Sequence, residues 1–359
     1  MNLLITAVAF IFMLGITVAI HETGHFIVAK LCNVYVHEFS IGMGKKLWEK
    51  KGKETKYQLR LLPIGGYISM AGEDVNVQKE ADVAIPEDRK FYNQPYLKKI
   101  AVLIAGVAMN FLLAIVIMSL LLLHSGAYVA PVKTTITSVI PDSPAEHAGI
   151  QPGDKITKII RSDGASMKIK SFTDMQIFLY GETDKAPITI IVDRDGEELS
   201  FEITQKYYAE EDRYLMGIQS QSTEIREVKW YNCLWYGARY AFDTLSQLVV
   251  SLRLLFLPKG YEQVSGPIGI ATATNQVVSY GFLSYMNLVA LLNLNIGLMN
   301  LLPLPVLDGG QIVIETFEKL RGKRINQKTK LHLLEACWVL LIGLMIVATF
   351  NDIKRLFGM

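Results

Sequence analysis

The sequence HETGH occupies residues 21–25 and follows directly on residues 3–20, which contain no charged side chain. In a helix, residues four positions apart lie on one face, so His21 and His25 could bind the same metal ion. Glu22 would then lie beside the open coordination position as a general base. Five residues alone are weak evidence, but ionisable groups that continue an apolar span are costly and tend to be functional.

The composition indicates a membrane protein. Of the 359 residues, 51% are hydrophobic and only 19% are charged, and the mean hydropathy is +0.28. A net charge of +2, with no cluster of Lys and Arg interleaved with aromatic residues, argues against nucleic-acid binding. Cys32, Cys233 and Cys337 have neither disulfide nor zinc-site spacing, so we expect them to be packing residues.

Four segments are long and apolar enough to cross a bilayer, which needs about 20 residues. They cover residues 3–20, 100–123, 263–307 and 331–350. Glu335, near the start of the last segment, is the only acidic residue in these four ranges. The alternative for the first segment is a signal peptide, but it lacks a basic n-region and a small-residue cleavage site. We therefore expect a polytopic α-helical membrane protein with four transmembrane helices.

The basic residues determine the expected orientation. Lys and Arg concentrate at residues 45–60, between the first two spans, and at residues 319–330, between the last two. The positive-inside rule places both loops in the cytoplasm. Both termini, and the long segment between the second and third spans, would then be extracytoplasmic.

Asp308 is the candidate for a third metal ligand. It is the sole carboxylate between Glu262 and Glu315, and it follows a span that runs towards the cytoplasm. Because the first span also runs inward, we expect His21, His25 and Asp308 at one depth. A catalytic zinc ion has three protein ligands and an open position for water, which this set would provide.

The sequence before Asp308 also favours a special role. Pro303 and Pro305 remove backbone donors and break the helix, which is tolerated at membrane depth only where the backbone is buried in protein or lines a cavity. The alternative is a proline-kinked end to an ordinary span. The alternative third ligands are His332, Glu335 and Cys337 on the fourth span and His124 at the outer end of the second.

Residues 132–206 resemble a PDZ domain in the order of their expected elements. A strand and a short helix precede Gly153-Asp154, and a strand, a helix and a hairpin follow. The spacing of Gly149, Gly153 and Asp154 is typical of bacterial PDZ domains. Residues 207–262 are expected to be a linker with an amphipathic helix at the outer membrane surface, or alternatively a helix that packs on the PDZ domain.

Taken together, the motifs resemble the site-2 protease family of intramembrane zinc metalloproteases, and in particular its bacterial RseP-like members with a single PDZ domain. The resemblance covers essentially the whole chain, with residues 1–124 and 263–359 as the two membrane parts of the protease core. Further motifs that carry it are Phe39-Ser-Ile-Gly42-Met-Gly44, Leu62-Pro-Ile-Gly65-Gly66-Tyr67, Ala105-Gly106 with Asn110, and Ser265-Gly266-Pro267-Ile268-Gly269.

The resemblance implies the roles of individual residues. His21, His25 and Asp308 would bind Zn²⁺, Glu22 would be the catalytic base, and Asn300 would lie near the substrate or the scissile bond.

The resemblance further implies that residues 35–70 form a membrane-dipping β-hairpin. Gly42, Gly44, Gly65 and Gly66 would belong to its substrate-binding part. An exposed strand edge could pair with a substrate segment and hold it extended. The alternative is a cytoplasmic hairpin with no role in substrate binding.

The function implied by the family is zinc-dependent cleavage of single-span proteins within a lipid bilayer. The substrates would be proteins such as anti-sigma factors or signal-peptide remnants, in the plasma membrane of a bacterium, and the active site would lie towards the cytoplasm. The PDZ domain would bind a peptide C-terminus or filter substrates by size. The alternatives are a metal-binding transporter, for which no inverted repeat is found, and a non-catalytic binding module, in which Glu22 or Asp308 would be missing.

Overall fold

A computed structural model describes residues 3–73, 85–179, 187–208, 213–220, 224–254 and 266–356. The chain divides into two compact units. We call Met1–Leu121 together with Ser265–Met359 the helical unit, and Leu122–Val264 the inserted unit.

The described residues form nine α-helices and twelve β-strands. The helices are α1 (Leu3–Leu31), α2 (Tyr96–Ser125), α3 (Pro144–His147), α4 (Phe172–Leu179), α5 (Cys233–Leu254), α6 (Pro267–Ser279), α7 (Phe282–Asn300), α8 (Asp308–Arg321) and α9 (Gln327–Leu356). The strands are β1 (Val36–Lys51), β2 (Lys56–Met70), β3 (Ala127–Val129), β4 (Ser138–Val139), β5 (Lys155–Ile160), β6 (Ser166–Lys168), β7 (Ile188–Arg194), β8 (Glu197–Ile203), β9 (Lys206–Tyr208), β10 (Arg213–Leu215), β11 (Ile218–Gln219) and β12 (Ile225–Glu227).

Four helices, α1, α2, α7 and α9, are long and apolar enough to cross a membrane, as the sequence predicts. The third uncharged segment is not one helix, however. Gly281 separates α6 from α7 with a φ of 104°, a backbone conformation that favours glycine. The third span is therefore α7 alone, and the first residues of that segment, 263–265, lie outside the described part of the chain.

Two polar contacts, one of them fully buried, fix α1 against α6 and α7. The Thr6 hydroxyl donates to Asn275 Oδ1 over 2.9 Å, and Asn293 Nδ2 donates to Thr17 Oγ1 over 3.1 Å. Thr17 and Asn293 are both completely buried. Because a paired polar group inside an apolar unit is far less costly than an unpaired one, these contacts favour one register of α1, and so set where His21, one turn further on, is presented.

The strands β1 and β2 form a strongly bent sheet beside α1. Residues 38–41 of β1 have partners in 56–59 and also in 66–69, so β1 lies between two parts of β2. The second half of β1, residues 46–51, pairs with the first part of β2 alone. Residues 66–70 therefore form one edge of the sheet, with a neighbouring strand on one side only in the part of the chain that the structure describes.

The inserted unit contains a four-stranded sheet in the order β6-β5-β7-β8, with a core that includes Ile156, Ile190 and Phe178 from β5, β7 and α4. The predicted cap of α3 is confirmed: the Ser143 hydroxyl accepts from the Glu146 backbone N–H. The elements follow the order expected from the sequence. That the unit is a PDZ domain stays a prediction.

A buried ion pair closes the loop before β5. Asp154 is 1% exposed, and its carboxylate accepts from Arg194 Nε over 2.6 Å and from Arg194 Nη2 over 2.8 Å. These charge-assisted hydrogen bonds hold the pKa of the Asp154 carboxyl below its usual range. The glycine-aspartate spacing noted in the sequence therefore has a structural role in this unit.

The sequence leaves open whether residues 207–262 are a linker with a surface helix or contain a helix that packs on the preceding domain, and the described part of this segment packs with the start of the inserted unit. Two of the strands in this segment pair with strands at the start of the inserted unit, β11 with β4 and β12 with β3. The side chains of Tyr128 and Val228 share a buried cluster with Tyr236 and Tyr240 of α5. The segment belongs to the inserted unit because these side chains have a common core.

Candidate metal centre

Three side chains that can bind a metal meet inside the helical unit. His21 Nε2 lies 3.1 Å from His25 Nε2 and 3.1 Å from Asp308 Oδ2, and His25 Nε2 lies 3.5 Å from Asp308 Oδ2. Both histidines are buried, at 8% and 6% exposure. The structure thus brings together the three residues that the sequence singles out, on α1 and at the start of α8.

One buried oxygen atom of this cluster lacks a regular hydrogen bond. Asp308 Oδ2 is buried and makes no hydrogen bond of regular geometry within the described part of the chain, and the groups beside it are the Nε2 atoms of the two histidines, at 3.1 and 3.5 Å. Leaving such an oxygen unpaired is costly, whereas a cation at the common focus of the three side chains would satisfy it. Two imidazoles and one carboxylate are a donor set that suits a hydrolytic zinc ion, so the residues fit Zn²⁺.

The break between α7 and α8 delivers Asp308 to the site. Residues 301–307 form turns, as the two prolines predict, and Asp308 is the first residue of α8. Gly309 and Gly310 follow, and a Cβ atom on either would overlap the backbone of the preceding turn, at Leu301 and Leu304 respectively. The two glycines therefore let α8 start close against the broken segment.

One face of α2 lines the back of the imidazoles. The Val102 carbonyl oxygen accepts from His25 Nδ1 over 2.7 Å, and Asn110 Nδ2 lies 3.3 Å from His21 Nδ1. Between them, a Cβ atom on Gly106 would overlap both rings. Residues 102, 106 and 110 are spaced by four and so lie along one face of α2. This face presents to the imidazoles a backbone carbonyl at 102, a position without a side chain at 106 and a side-chain amide at 110.

Glu22 lies beside the cluster, against the edge of the bent sheet. Its side chain accepts a hydrogen bond from the backbone N–H of Ile68, and its Cγ lies 3.2 Å from where a Cβ atom on Gly66 would be. Glu22 is thus held between the two histidines and the strand segment 66–70. This position is the one expected of a base that serves a water molecule and an extended peptide together.

The remaining predicted residues divide into two groups. Asn300, the last residue of α7, directs its Nδ2 to within 3.4 Å of His21 Nε2 and so belongs to the cluster. Gly42, Gly44 and Gly65 instead lie in the sheet with φ angles of 83° to 86°, and a Cβ atom on any of them would come within 4 Å of Leu62 or Met43. Their backbone conformations account for glycine at these positions, and a role in substrate binding stays a prediction.

The alternative third ligands do not join the cluster. His332 and Glu335 are exposed on α9 and lie 3.3 Å from each other, and Cys337 is buried elsewhere on the same helix. His124 is in the last turn of α2, far along the helix from the three-residue face described above. Within the described ranges, His21, His25 and Asp308 form the one group with metal-binding spacing.

A cavity of about 490 Å³ reaches Asp308 from the side of α8 and the first turn of α2. Lys99 and Glu315 line it and form a partly buried ion pair with a separation of 2.5 Å. Tyr96 adds a hydrogen bond of 3.0 Å to Thr316. These contacts connect α8 to α2 about two turns after Asp308.

Sequence reasoning missed the supporting part played by α2. Asn110 and Gly106 appear in the sequence as part of a motif without a stated contact, and Val102 acts through its carbonyl, which no side-chain pattern reveals. The four-residue spacing of these positions was the available signal.

Comparison with known proteins agrees with this geometry. The sequence pattern of peptidase family M50 matches residues 9–344. A Clostridium acetobutylicum protein named "putative zinc metalloprotease" is 32% identical, over 98% of this chain and 97% of its own length. Proteins with the same description from Fusobacterium nucleatum and Staphylococcus aureus are 32% and 29% identical, over 96% and 99% of this chain and 98% and 100% of theirs.

The packing of α2 on the imidazoles can be tested at Gly106. We expect Gly106→Ala to displace both rings and to lower the zinc content of the purified protein by about tenfold or more at a fixed chelator concentration, in line with other disturbances of ligand orientation. Zinc per protein, measured by inductively coupled plasma mass spectrometry, is the readout. Gly343→Ala is the control, since a Cβ atom there meets nothing within 4 Å. Equal zinc content in both variants would contradict the packing described here.

Proposed function

The chain belongs to peptidase family M50, the site-2 protease family, and from this premise we propose that it cleaves single-span membrane proteins within the bilayer. It is a zinc metalloprotease and a multi-pass membrane protein. The proposal assigns the zinc ion to His21, His25 and Asp308. The observation that carries it is the convergence of their three ligand atoms next to Glu22 and the outer strand segment 66–70 of the bent sheet.

In the proposed reaction Glu22 is the general base. Bound zinc would act as a Lewis acid that polarises the scissile carbonyl and lowers the pKa of a water molecule. Glu22 accepts the proton of this water and passes it to the leaving amine. Asn300, whose amide is aimed at the cluster, donates a hydrogen bond to the substrate carbonyl as negative charge develops on its oxygen.

The strand edge at residues 66–70 is suited to present the substrate. A peptide bond inside an intact helix is shielded by its own side chains and hydrogen bonds, so a transmembrane substrate must be extended locally before cleavage. Pairing with this edge supplies backbone partners for the extended segment. Gly66 keeps the space between the strand and Glu22 free of side chain, so the paired peptide bond lies beside the base.

The substrates we propose are single-span proteins such as anti-sigma factors or signal-peptide remnants in a bacterial plasma membrane. The inserted unit would act as a PDZ domain that excludes substrates with large extracytoplasmic parts. Helix α5 would lie at the outer membrane surface, because Trp235 and Phe242 on it are 69% and 68% exposed and Trp230 just before it is 80% exposed. Exposed aromatic side chains of this kind are typical of the membrane interface.

The role of Glu22 as general base can be tested directly with a matched control. We expect Glu22→Gln to keep zinc and to lower the cleavage rate by at least about 100-fold, because the ligands remain and the proton acceptor is lost. Glu335→Gln makes the same chemical change on α9, away from the cluster, and should leave the rate unaltered. Purified protein in detergent is given single-span substrates with and without a folded extracytoplasmic domain, and products are quantified by mass spectrometry.

Two results would overturn parts of this account. Equal rates for wild type and Glu22→Gln would remove Glu22 from the reaction. Equal rates for short and bulky substrates would remove the size filter while leaving the chemistry intact.

The proposed orientation places residues 45–60 and 319–330 in the cytoplasm and the inserted unit outside. Single cysteines at Lys51 and Lys323, in a background without native cysteines, should resist a membrane-impermeant maleimide in intact cells. A cysteine at Asp195, in the exposed turn between β7 and β8, should react. Labelling of the first two positions and protection of the third would show the opposite orientation, with the metal centre towards the outer face.

A further inference from the structure

Asn110 is a fully buried amide on the far side of His21 from the other ligands. Its exposure is 0%, and its Nδ2 atom is 3.3 Å from His21 Nδ1. Its Oδ1 atom is buried and has no partner among the described residues. A buried amide oxygen without a hydrogen bond is uncommon and calls for an explanation.

The position of the other ligands decides which nitrogen of His21 carries its proton. Nε2 faces Asp308 Oδ2 and His25 Nε2 at 3.1 Å each, so it is the atom directed at the metal position. A neutral imidazole that binds a metal through Nε2 keeps its proton on Nδ1. That proton needs an acceptor, and the amide nitrogen of Asn110 cannot serve as one.

A half-turn of the Asn110 amide resolves this conflict. Oδ1 and Nδ2 are alike in size and exchange places when the amide rotates, which brings the unpartnered oxygen to His21 Nδ1. We propose that Asn110 is a positioning residue whose Oδ1 accepts the Nδ1 proton of His21 and so holds Nε2 ready for zinc. The inference rests on the zinc site proposed above.

The second histidine shows the same arrangement on the same helix. The Val102 carbonyl oxygen lies 2.7 Å from His25 Nδ1 and leaves His25 Nε2 for the metal position. Asn110 lies eight residues, about two helical turns, beyond Val102 on α2, and Gly106 is midway between them. Both ligands of α1 are then oriented by oxygen atoms of α2, one from the backbone and one from a side chain.

An ordinary interhelical contact would make a different prediction. If Asn110 only helps α1 and α2 to pack, its replacement changes the stability of the metal-free protein, and the effect on zinc follows from that loss. If Asn110 orients His21, the zinc affinity changes while the metal-free protein unfolds at about the same temperature. Residues that hydrogen-bond to a metal-binding side chain typically contribute 10- to 100-fold to the metal affinity.

The experiment compares zinc dissociation constants of the full chain in detergent, measured by competition with a chromophoric chelator. Asn110→Leu, which keeps the volume and removes the acceptor, should weaken zinc binding by about 10- to 100-fold. Asn110→Asp, which offers only acceptor atoms, should stay close to the wild-type affinity. Ser119→Ala is the control, because it also removes a buried polar group from α2, and Ser119 is 2% exposed and donates its hydroxyl proton to the Ile115 carbonyl oxygen of its own helix, nine residues beyond Asn110.

A spectroscopic readout separates orientation from folding. With Co²⁺ in place of zinc, the visible absorption of the Asn110→Leu protein should differ from that of wild type, whereas the Ser119→Ala spectrum should not. His21→Ala, which removes a proposed ligand, marks the loss of the site.

Each outcome has one consequence. Wild-type affinity in Asn110→Leu, or equal weakening in Asn110→Leu and Asn110→Asp, would overturn the role of Asn110 as acceptor. A His21→Ala protein that binds zinc like wild type would instead overturn the proposed metal site itself. If Asn110→Leu does not fold, the zinc affinity and the Co²⁺ spectrum of Asn110→Asp decide the question. An acceptor role for Asn110 predicts that both stay close to wild type, whereas a donor role for its amide predicts that both change.

Discussion

Polar and ionisable side chains inside an apolar helical unit must find partners within the protein, because lipid supplies none. In this chain the need is greatest at His21, His25 and Asp308, whose ligand atoms meet within 4.8 Å of one another. Burying such groups costs several kcal/mol unless they are paired or bind a metal. The arrangement of the surrounding helices follows from meeting this requirement.

Three features of the fold serve the cluster. The break after α7 brings Asp308 to the depth of the histidines at the start of a new helix. A face of α2 closes the back of both imidazoles, and the Lys99–Glu315 pair ties α8 to the same helix. The bent sheet brings backbone rather than side chain to Glu22, at Gly66 and Ile68.

Parts of this arrangement could be read from the sequence because single residues carried an unusual signal. An i, i+4 pair of histidines around a glutamate, at the end of an uncharged span, has few other uses, and Asp308 stood out as an isolated carboxylate after two prolines. The contribution of Val102 could not be read, since a backbone carbonyl leaves no trace in residue type. Nor could the double pairing of residues 38–41, because the bend that produces it depends on tertiary packing against α1. The split of the third uncharged segment at Gly281 had a glycine as its signal, but glycine is also common inside transmembrane helices.

The identity of the metal ligands is tested most directly by zinc K-edge X-ray absorption on the purified, zinc-loaded protein. The account predicts a first shell of nitrogen and oxygen only, at about 2.0–2.2 Å, with the multiple-scattering pattern of two imidazoles and no sulfur. A sulfur shell at about 2.3 Å would place Cys337 or another cysteine on the metal. A first shell with fewer than two imidazoles would likewise contradict binding by His21 and His25.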